Sequence, residues 1–161
     1  MSKLGIYIHW PYCISKCPYC DFNSHKIEDY DPNDWLKAYK NQIKYFKEYL
    51  TTQNFKNKKI SSIFFGGGTP SLMQPKLIEQ ILLFINKLFN FDKNIEITLE
   101  SNPTSLELSK INDFKSAGVN RISLGVQGLN DIDLKYLGRL HNSSDTFNIL
   151  DLMQKKIDNI S

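Results

Sequence analysis

The feature that most constrains the fold of this 161-residue chain is a regular alternation of short apolar runs with segments of helical periodicity. Four apolar runs are typical of buried strands: Leu4–Ile8, Ile60–Phe65, Ile95–Leu99 and Val119–Val126. The segments between these runs repeat their apolar residues every three or four positions, as amphipathic helices do. Strands that alternate with helices predict an α/β fold with parallel strands and right-handed connections.

The predicted helices begin and end at residues with suitable capping chemistry. Asp31 is expected to be the N-cap of a first helix with Pro32 at its first position, and Pro75 is expected to begin a second. One face of the first helix carries apolar residues: Trp35, Tyr39, Ile43, Phe46 and Leu50. The remaining predicted helices run from Thr104 or Ser105 through Leu108, Ile111 and Phe114 to Gly118, then over Asp131–Leu137 and Ser144–Lys155.

An unusual polar or glycine-rich stretch follows each predicted strand. "CISKCPYC" follows the first strand, "GGGTP" the second, "ESNP" the third, and Gln127 follows the fourth. Ligands of parallel α/β folds bind at the carboxyl ends of the strands. The sequence therefore predicts one functional rim to which four strands contribute.

The carboxyl-terminal residues, Ile157–Ser161, resemble the approach to a fifth strand. Four parallel strands form an open sheet, but they are too few to close a barrel. We therefore expect residues 1–161 to be the N-terminal part of a core domain that is truncated before its fifth strand, which makes the chain a fragment of a longer protein.

The charge pattern and the apolar segments narrow the class of protein. The net charge of +3 comes from 20 basic and 17 acidic residues, which gives no reason to expect nucleic acid as the main partner. The basic run Lys56, Lys58 and Lys59 is interpreted as a solvated turn. No apolar stretch is long enough to span a membrane, and no secretory signal is recognised at the N-terminus. We expect a cytoplasmic location, where thiols stay reduced.

All three cysteines lie within eight residues, in the spacing C-x3-C-x2-C of Cys13, Cys17 and Cys20. Cysteine thiolates are the ligands of iron–sulfur clusters, and three of them leave one iron of a [4Fe–4S] cube open to another ligand. Two alternatives remain at this point. One is a zinc site that takes His9 or His25 as a fourth ligand, and the other is a redox pair of Cys17 and Cys20.

The other rim residues are less specific individually. Three consecutive glycines, 66–68, allow backbone groups to approach a ligand closely, and no Gly-Lys-Ser/Thr follows, so this is no phosphate loop. Glu100 could accept hydrogen bonds from an ammonium group or from ribose hydroxyls. Gln127 and Arg139 are ambiguous when each is considered alone.

Five segments together resemble a known family. They are "YIHWPYCISKCPYCDFNS", "IFFGGGTPSLM", "ITLESNP", "GVNRISLGVQGLND" and "LGRLH", which extend from Tyr7 to His141. They are similar to the radical S-adenosylmethionine superfamily and, within it, to the anaerobic coproporphyrinogen oxidase family. The resemblance implies a partial parallel (βα) barrel, of which this chain holds the first four units. It also implies a cluster whose open iron binds S-adenosylmethionine, and reductive cleavage of the C–S bond to a 5'-deoxyadenosyl radical.

The resemblance also implies roles for individual residues. The three cysteines are its cluster ligands: Cys13, Cys17 and Cys20. In the family, S-adenosylmethionine is contacted at positions that match Tyr7, Gly67, Gly68, Thr69 and Glu100. A second molecule of S-adenosylmethionine is contacted, in the coproporphyrinogen-converting enzymes, at positions that match Gln127 and Arg139.

Phe22 distinguishes two branches of this family. The coproporphyrinogen-converting enzymes carry a further cysteine at that position, whereas "CDFNS" is typical of the heme chaperone branch. That branch implies heme as cargo, a heme-acceptor protein and an electron donor for the cluster. Two alternatives are decarboxylation of coproporphyrinogen III and a truncated, non-functional remnant. His141 and Asn142 begin like the heme-binding motif of the branch, but Asp145 stands where that motif has tyrosine.

Overall fold

The computed structural model describes residues 3–53, 59–104, 109–157 and 159–161. Strands and helices alternate along most of the chain. In chain order they are β1 (Leu4–Trp10), β2 (Tyr12–Cys13), β3 (His25–Lys26), α1 (Pro32–Thr52), β4 (Ile60–Gly67), a 3₁₀ turn (Pro70–Leu72), α2 (Pro75–Leu88), β5 (Phe91–Ser101), α3 (Ile111–Ser116), β6 (Arg121–Leu124), α4 (Asp131–Tyr136), α5 (Ser143–Met153) and β7 (Asn159–Ile160).

The main sheet has the strand order β1-β4-β5-β6-β7, and every neighbouring pair is parallel. The register places Trp10 beside Gly67 and Glu100 beside Ser123. The predicted parallel α/β architecture is therefore confirmed. Because parallel strands end at the same edge, the segments that follow β1, β4, β5 and β6 all begin at one rim.

The core lies between the sheet and the helices. β4 and β5 contribute fully buried side chains such as Phe65 and Leu99, as expected for strands that are covered on both faces. Each such side chain stabilises the fold by about 1.5–3 kcal/mol relative to an exposed one. Helix α2 packs with its predicted apolar stripe, whose buried residues are Leu77, Ile78, Ile81, Leu82 and Ile85.

The predicted start of α1 is confirmed. Asp31 is the N-cap, and its carboxylate accepts a hydrogen bond from the Asn33 backbone N–H at 2.8 Å, with Pro32 in the first turn. The apolar face differs from the prediction at Phe46, which is 53% exposed. This side chain lies beside an apolar groove between α1 and β1, so spacing along the helix alone did not establish its burial.

The third predicted helix is confirmed where the structure describes it. Helix α3 covers Ile111–Ser116, and Gly118, with φ of 108°, ends it by donating its N–H to the Lys115 carbonyl. The predicted stretch from Ser105 to Leu108 lies outside the described residues. Strand β5 is longer than predicted and β6 is shorter.

A fifth strand is present at the end of the chain, which corrects the expectation of four. In β7, Asn159 pairs with Arg121 and Ile160 pairs with Ile122, both in parallel. The Leu124 N–H also donates to the Ser161 carbonyl at 2.7 Å. A two-residue strand has too little apolar pattern to be recognised in sequence, and its pairing with β6 is what defines it.

The sequence predicted a solvated basic turn and no segment long enough to span a membrane. Lys59 is exposed, whereas Lys56 and Lys58 lie outside the described residues. Among the helices that the structure describes, none combines the length and the apolar character that a membrane span requires.

Candidate functional site

A cavity of about 370 Å³ opens at the rim where β1, β4, β5 and β6 end. Its lining combines the cysteine loop, the glycine turn and the ends of β5 and β6. Nearly all predicted site residues contribute to it: Cys13, Cys17, Cys20, Gly67, Gly68, Thr69, Glu100, Gln127 and Arg139. The structure therefore brings together residues that are separated by more than a hundred positions in the chain.

Tyr7 is the predicted residue that does not line this cavity. Its ring stacks on Phe64 and faces the apolar groove beside α1. Its hydroxyl lies 3.1 Å from Nδ1 of His9. Burial and the negative charge of Glu100 both raise the pKa of Tyr7. Tyr7 is thus a neighbour of the site through Glu100 and His9, and its contact with S-adenosylmethionine stays a prediction.

Aromatic packing holds the base of the cysteine loop. Trp10, which is completely buried, makes edge contacts with Tyr12 and Tyr30 at centroid distances of 5.3 and 5.0 Å. Its ring also packs on Trp35 of α1. These contacts hold both ends of the loop against Trp10, which itself packs on α1, since Tyr12 precedes the cysteines and Tyr30 follows them.

Backbone bonds close the loop around the cysteines. The short strands β2 and β3 pair Tyr12 with His25, and the Ile27 N–H donates to the Cys13 carbonyl at 2.7 Å. The Cys20 N–H donates to the Cys17 carbonyl at 3.0 Å. The cysteine segment is therefore a closed, hydrogen-bonded turn that presents its thiols to the cavity.

The glycine turn packs directly against this loop. A Cβ on Gly68 would lie 2.6 Å from the Tyr12 carbonyl oxygen, and one on Gly67 would lie 2.7 Å from the Trp10 carbonyl oxygen. Gly67 also has φ of 117°, which disfavours any side chain. The Gly67 N–H donates to Oε2 of Glu100 at 3.1 Å. The glycines are thus required by contacts within the protein, a reason that the sequence alone did not reveal.

The side chains of Thr69 and Arg139 donate hydrogen bonds to cysteine sulfurs. The hydroxyl of Thr69 donates to Sγ of Cys13 at 3.4 Å, and Nη1 of Arg139 donates to Sγ of Cys17 at 3.6 Å. Nη2 of Arg139 also donates to Oδ1 of Asn102 at 2.6 Å. Asn102 was not among the residues predicted from sequence, although its position in "ESNP", directly after a strand, was a usable signal.

Glu100 is half-buried between the glycine turn and His9. Burial raises the pKa of its carboxyl, while the hydrogen bond from the Gly67 N–H and the nearby His9 oppose that rise. A partly desolvated carboxylate at a strand end is a strong acceptor for a cationic or hydroxyl-bearing ligand.

Gln127 adopts an unusual backbone conformation at the rim, with φ of 66°. Left-handed φ is uncommon for residues other than glycine, and such strain concentrates at functional sites. Gln127 also lines the cavity. Its backbone geometry is therefore consistent with its prediction as a site residue.

The cavity offers buried donors that the protein itself does not use. Among the described residues, Oγ of Ser24 and Nε of Arg139 are buried without a hydrogen-bond partner, and both residues line the cavity. Three unpaired thiols face the same space. Sulfide and thiolate sulfurs accept hydrogen bonds, so this donor set fits an iron–sulfur cluster. Phe22 also borders the space, with a 60% exposed ring.

The geometry is less suited to the zinc alternative. Within the parts of the chain that the structure describes, no three Cys, His, Asp or Glu side chains converge on a single ion position, and this applies to the three cysteines as well. Nε2 of His9 lies 2.9 Å from the Asn23 carbonyl, and its Nδ1 faces the Tyr7 hydroxyl, so both ring nitrogens are engaged. His25 is exposed in β3.

His141 and Asn142 have structural roles. His141 is 5% exposed, and its Nε2 lies 3.1 Å from the Val126 carbonyl, to which it donates. Asn142 caps α5 in a reciprocal capping box with Asp145. Both side chains are therefore engaged in the fold, which agrees with leaving them out of a heme site.

The family model of the radical SAM superfamily matches residues 7–161 of the chain. The chain belongs to the radical SAM superfamily. The matched region contains the cysteine loop, the glycine turn and every strand end described above.

Several curated relatives are similar over nearly the whole chain. The heme chaperone HemW of Haemophilus influenzae is 42% identical over 157 residues, which cover 94% of this chain and 40% of the relative. HemW of Escherichia coli is 38% identical over 90% of this chain and 37% of the relative. The bovine radical S-adenosyl methionine domain-containing protein 1, mitochondrial, is 36% identical over 92% of this chain and 33% of the relative. The chain thus spans about two fifths of the length of the HemW relatives it matches.

Solved structures show the same fold. The coproporphyrinogen III oxidase HemN from Escherichia coli, described as a radical SAM enzyme, superimposes with a TM-score of 0.82 at 24% identity. The match covers 98% of this chain and 36% of HemN. The cobalamin-dependent S-adenosylmethionine radical enzyme OxsB gives a TM-score of 0.59 over 97% of this chain and 23% of OxsB. The parallel α/β sheet is therefore that of radical SAM proteins.

Proposed function

We propose that the chain binds a [4Fe–4S] cluster and S-adenosylmethionine at the strand-end cavity and acts as a heme chaperone, which passes heme to an acceptor protein. The observation that carries the proposal is the meeting of Cys13, Cys17 and Cys20 with the glycine turn and Glu100 in one cavity. The similarity to HemW and the presence of Phe22, which is typical of the heme chaperone branch, support the chaperone role.

The cysteine thiolates would hold three irons of the cluster. When bound, the cluster supplies an open iron for S-adenosylmethionine and an electron for reductive chemistry. Thr69 and Arg139 donate to two of the sulfurs and orient them. Glu100 would accept hydrogen bonds from the polar groups of S-adenosylmethionine, because its carboxylate is half-buried at the cavity wall.

Gln127 and Arg139 provide a second polar wall on the β6 side of the cavity. Nη1 of Arg139 also lies 3.4 Å from the Tyr19 hydroxyl, so both terminal nitrogens of its guanidinium already have protein partners. A second S-adenosylmethionine would therefore compete with these contacts, and the proposal requires only one.

Anaerobic reconstitution with iron and sulfide tests the cofactor part of this function. We expect about four irons per chain, and loss of that iron in Cys17→Ala. The matched control is Ser15→Ala, which removes a hydroxyl from the same loop and keeps every thiol. Stoichiometric zinc without iron under these conditions would contradict the proposal.

Heme titration of the reconstituted chain tests the chaperone part. We expect a heme absorbance band that saturates and then passes to an added apo-heme protein. The same sample is incubated anaerobically with coproporphyrinogen III, reductant and S-adenosylmethionine. Product formed faster than in the cluster-free control would show an oxidase rather than a chaperone.

A further inference from the structure

We propose that Asn102 is a positioning residue that joins Thr69 to Arg139, directs their donors at Cys13 and Cys17, and so raises the reduction potential of the bound cluster. The inference rests on the proposed cluster site. It assigns a role to a residue whose side chain reaches no cysteine itself.

The hydrogen bonds run in one direction through the Asn102 amide. Nη2 of Arg139 donates to Oδ1 of Asn102 at 2.6 Å, and Nδ2 of Asn102 donates to Oγ1 of Thr69 at 3.1 Å. A guanidinium can only donate, so the amide oxygen must face Arg139 and the NH₂ group must face Thr69. The orientation of the amide is therefore decided by chemistry.

This orientation also decides where the Thr69 proton points. The Thr69 oxygen accepts from Asn102, and its single proton is directed to Sγ of Cys13 at 3.4 Å. The second branch starts from Arg139, whose Nη1 donates to Sγ of Cys17 at 3.6 Å. One amide thus contacts both Thr69 and Arg139, which donate to the sulfurs of Cys13 and Cys17.

The position of Asn102 gives it this reach. It follows β5 directly and lies between the glycine turn, which carries Thr69, and the segment after α4, which carries Arg139. The guanidinium is held further by the Gly125 carbonyl at 2.8 Å. The bridge is partly buried, where hydrogen bonds are stronger than in water.

A hydrogen bond to a thiolate sulfur stabilises the more negative, reduced state of an iron–sulfur cluster, and so raises its reduction potential. If Asn102 only braces the rim, its substitution changes the stability of the fold and leaves the potential unchanged. The potential therefore distinguishes the two roles.

The test uses near-isosteric variants of the reconstituted chain: Thr69→Val, Asn102→Asp and the double variant. The new carboxylate at position 102 still accepts from Arg139, but it has no proton to give. It instead attracts the Thr69 proton away from Cys13. An EPR-monitored redox titration should show that Thr69→Val lowers the equilibrium constant for one-electron reduction about tenfold, which corresponds to about 59 mV.

The decisive comparison is Thr69→Val in the two backgrounds. With Asn102 present, we expect Thr69→Val to lower the reduction potential by the full amount. In the Asn102→Asp background we expect little further change, because the carboxylate has already drawn the Thr69 proton away from Cys13. The negative charge added by Asn102→Asp is present in both members of that second comparison and cancels. Thr69→Ser is the control and should restore the original potential.

An equal loss in both backgrounds overturns the relay, as does an unchanged potential in Thr69→Val. If Asn102→Asp folds but takes up no cluster, Asn102→Leu is titrated instead, and an unchanged potential there overturns the proposal. Failure of both folded variants to take up a cluster assigns Asn102 a structural role only. If the unsubstituted chain takes up no cluster, both the proposed function and the role of Asn102 that rests on it are overturned.

Discussion

The two halves of the sheet, divided along its strand order, differ in the lengths of their strands and of the helices beside them. β1, β4 and β5 lie beside α1, of 21 residues, and α2, of 14 residues. β6 and β7, of four and two residues, lie beside shorter helices, and α3 and α4 have six residues each. We call these the long-helix side and the short-helix side. Large apolar side chains are exposed on both sides: Tyr45, Phe46, Tyr49 and Leu83 on the long-helix side, and Leu129, Ile132, Tyr136, Leu140 and Phe147 on the short-helix side.

The cavity draws on both sides. The cysteine loop and the glycine turn belong to the long-helix side, whereas Gln127 and Arg139 come from the short-helix side. Gly138 packs closely on the loop, because a Cβ there would lie 2.7 Å from Cδ of Pro18. The long-helix side therefore holds the proposed cluster ligands, and the short-helix side is joined to them through Arg139 and Gly138.

Truncation of one phenylalanine on each side should give the largest contrast. Phe65→Ala empties a fully buried position in β4 and should lower the free energy of unfolding by about 3–5 kcal/mol. Phe147→Ala is the matched control in α5, where the ring is 54% exposed, and should change it by less than about 0.5 kcal/mol. Denaturant unfolding followed by circular dichroism measures both. Equal losses would contradict the difference in burial between the two rings.

Addition of one methyl group should give an intermediate effect. Gly68→Ala forces a Cβ against the Tyr12 backbone, and we expect a loss of about 1–3 kcal/mol together with reduced iron uptake. Gly128→Ala is the control on the short-helix side, where the nearest atoms would lie 3.8 and 4.0 Å from the new Cβ. Thermal unfolding and iron analysis check this prediction. Normal iron uptake by Gly68→Ala would mean that the loop does not depend on the turn.

Acidification should give the smallest loss of stability, and this loss should fall mainly on the short-helix side, which contains His141. Burial, with a contribution from Arg139, lowers the pKa of His141 from its ordinary value of 6.5, although the Val126 carbonyl opposes the shift. The folded chain therefore binds this proton less readily than the unfolded chain. The stability contribution of neutral His141 is complete above pH 6.5 and is lost as the pH falls through its lower folded pKa.

Hydrogen exchange at pH 7.5 and 5.5 measures this effect. After correction for the intrinsic pH dependence of exchange, we expect lower protection factors in α4 and α5 at the lower pH before those of β1 and β4 change, and a smaller pH effect in His141→Gln. His25→Gln removes an exposed imidazole and serves as the control. An equal fall in protection factors on both sides of the sheet would contradict a local role for His141.

Much of the fold was predictable because its signals are local. The Asp31 cap, the Pro32 and Pro75 helix starts and the Gly118 stop are chemical features of single positions, and the structure places each as expected. The exposure of Phe46 and the pairing of β7 were not predictable. They depend on which surfaces meet, and helical periodicity or a two-residue apolar run does not contain that information.

The same distinction holds at the site. The spacing of Cys13, Cys17 and Cys20, and their position after a predicted strand, are sufficient to indicate a cluster loop. The contact of Arg139 with Cys17 joins residues 122 positions apart, and the bridge from Asn102 to Thr69 joins residues 33 apart. Such contacts are set by strand order and not by local sequence.

Periodicity, capping and ligand spacing are local properties, and they were enough to establish the parallel α/β architecture, the rim at the strand ends and the three thiols. The folded arrangement was needed to learn what the glycines pack against, which donors reach the sulfurs, and that His141 and Asn142 serve the fold. Those outcomes depend on distant segments that parallel pairing brings to one edge, where a residue's neighbours are chosen by the register of the sheet.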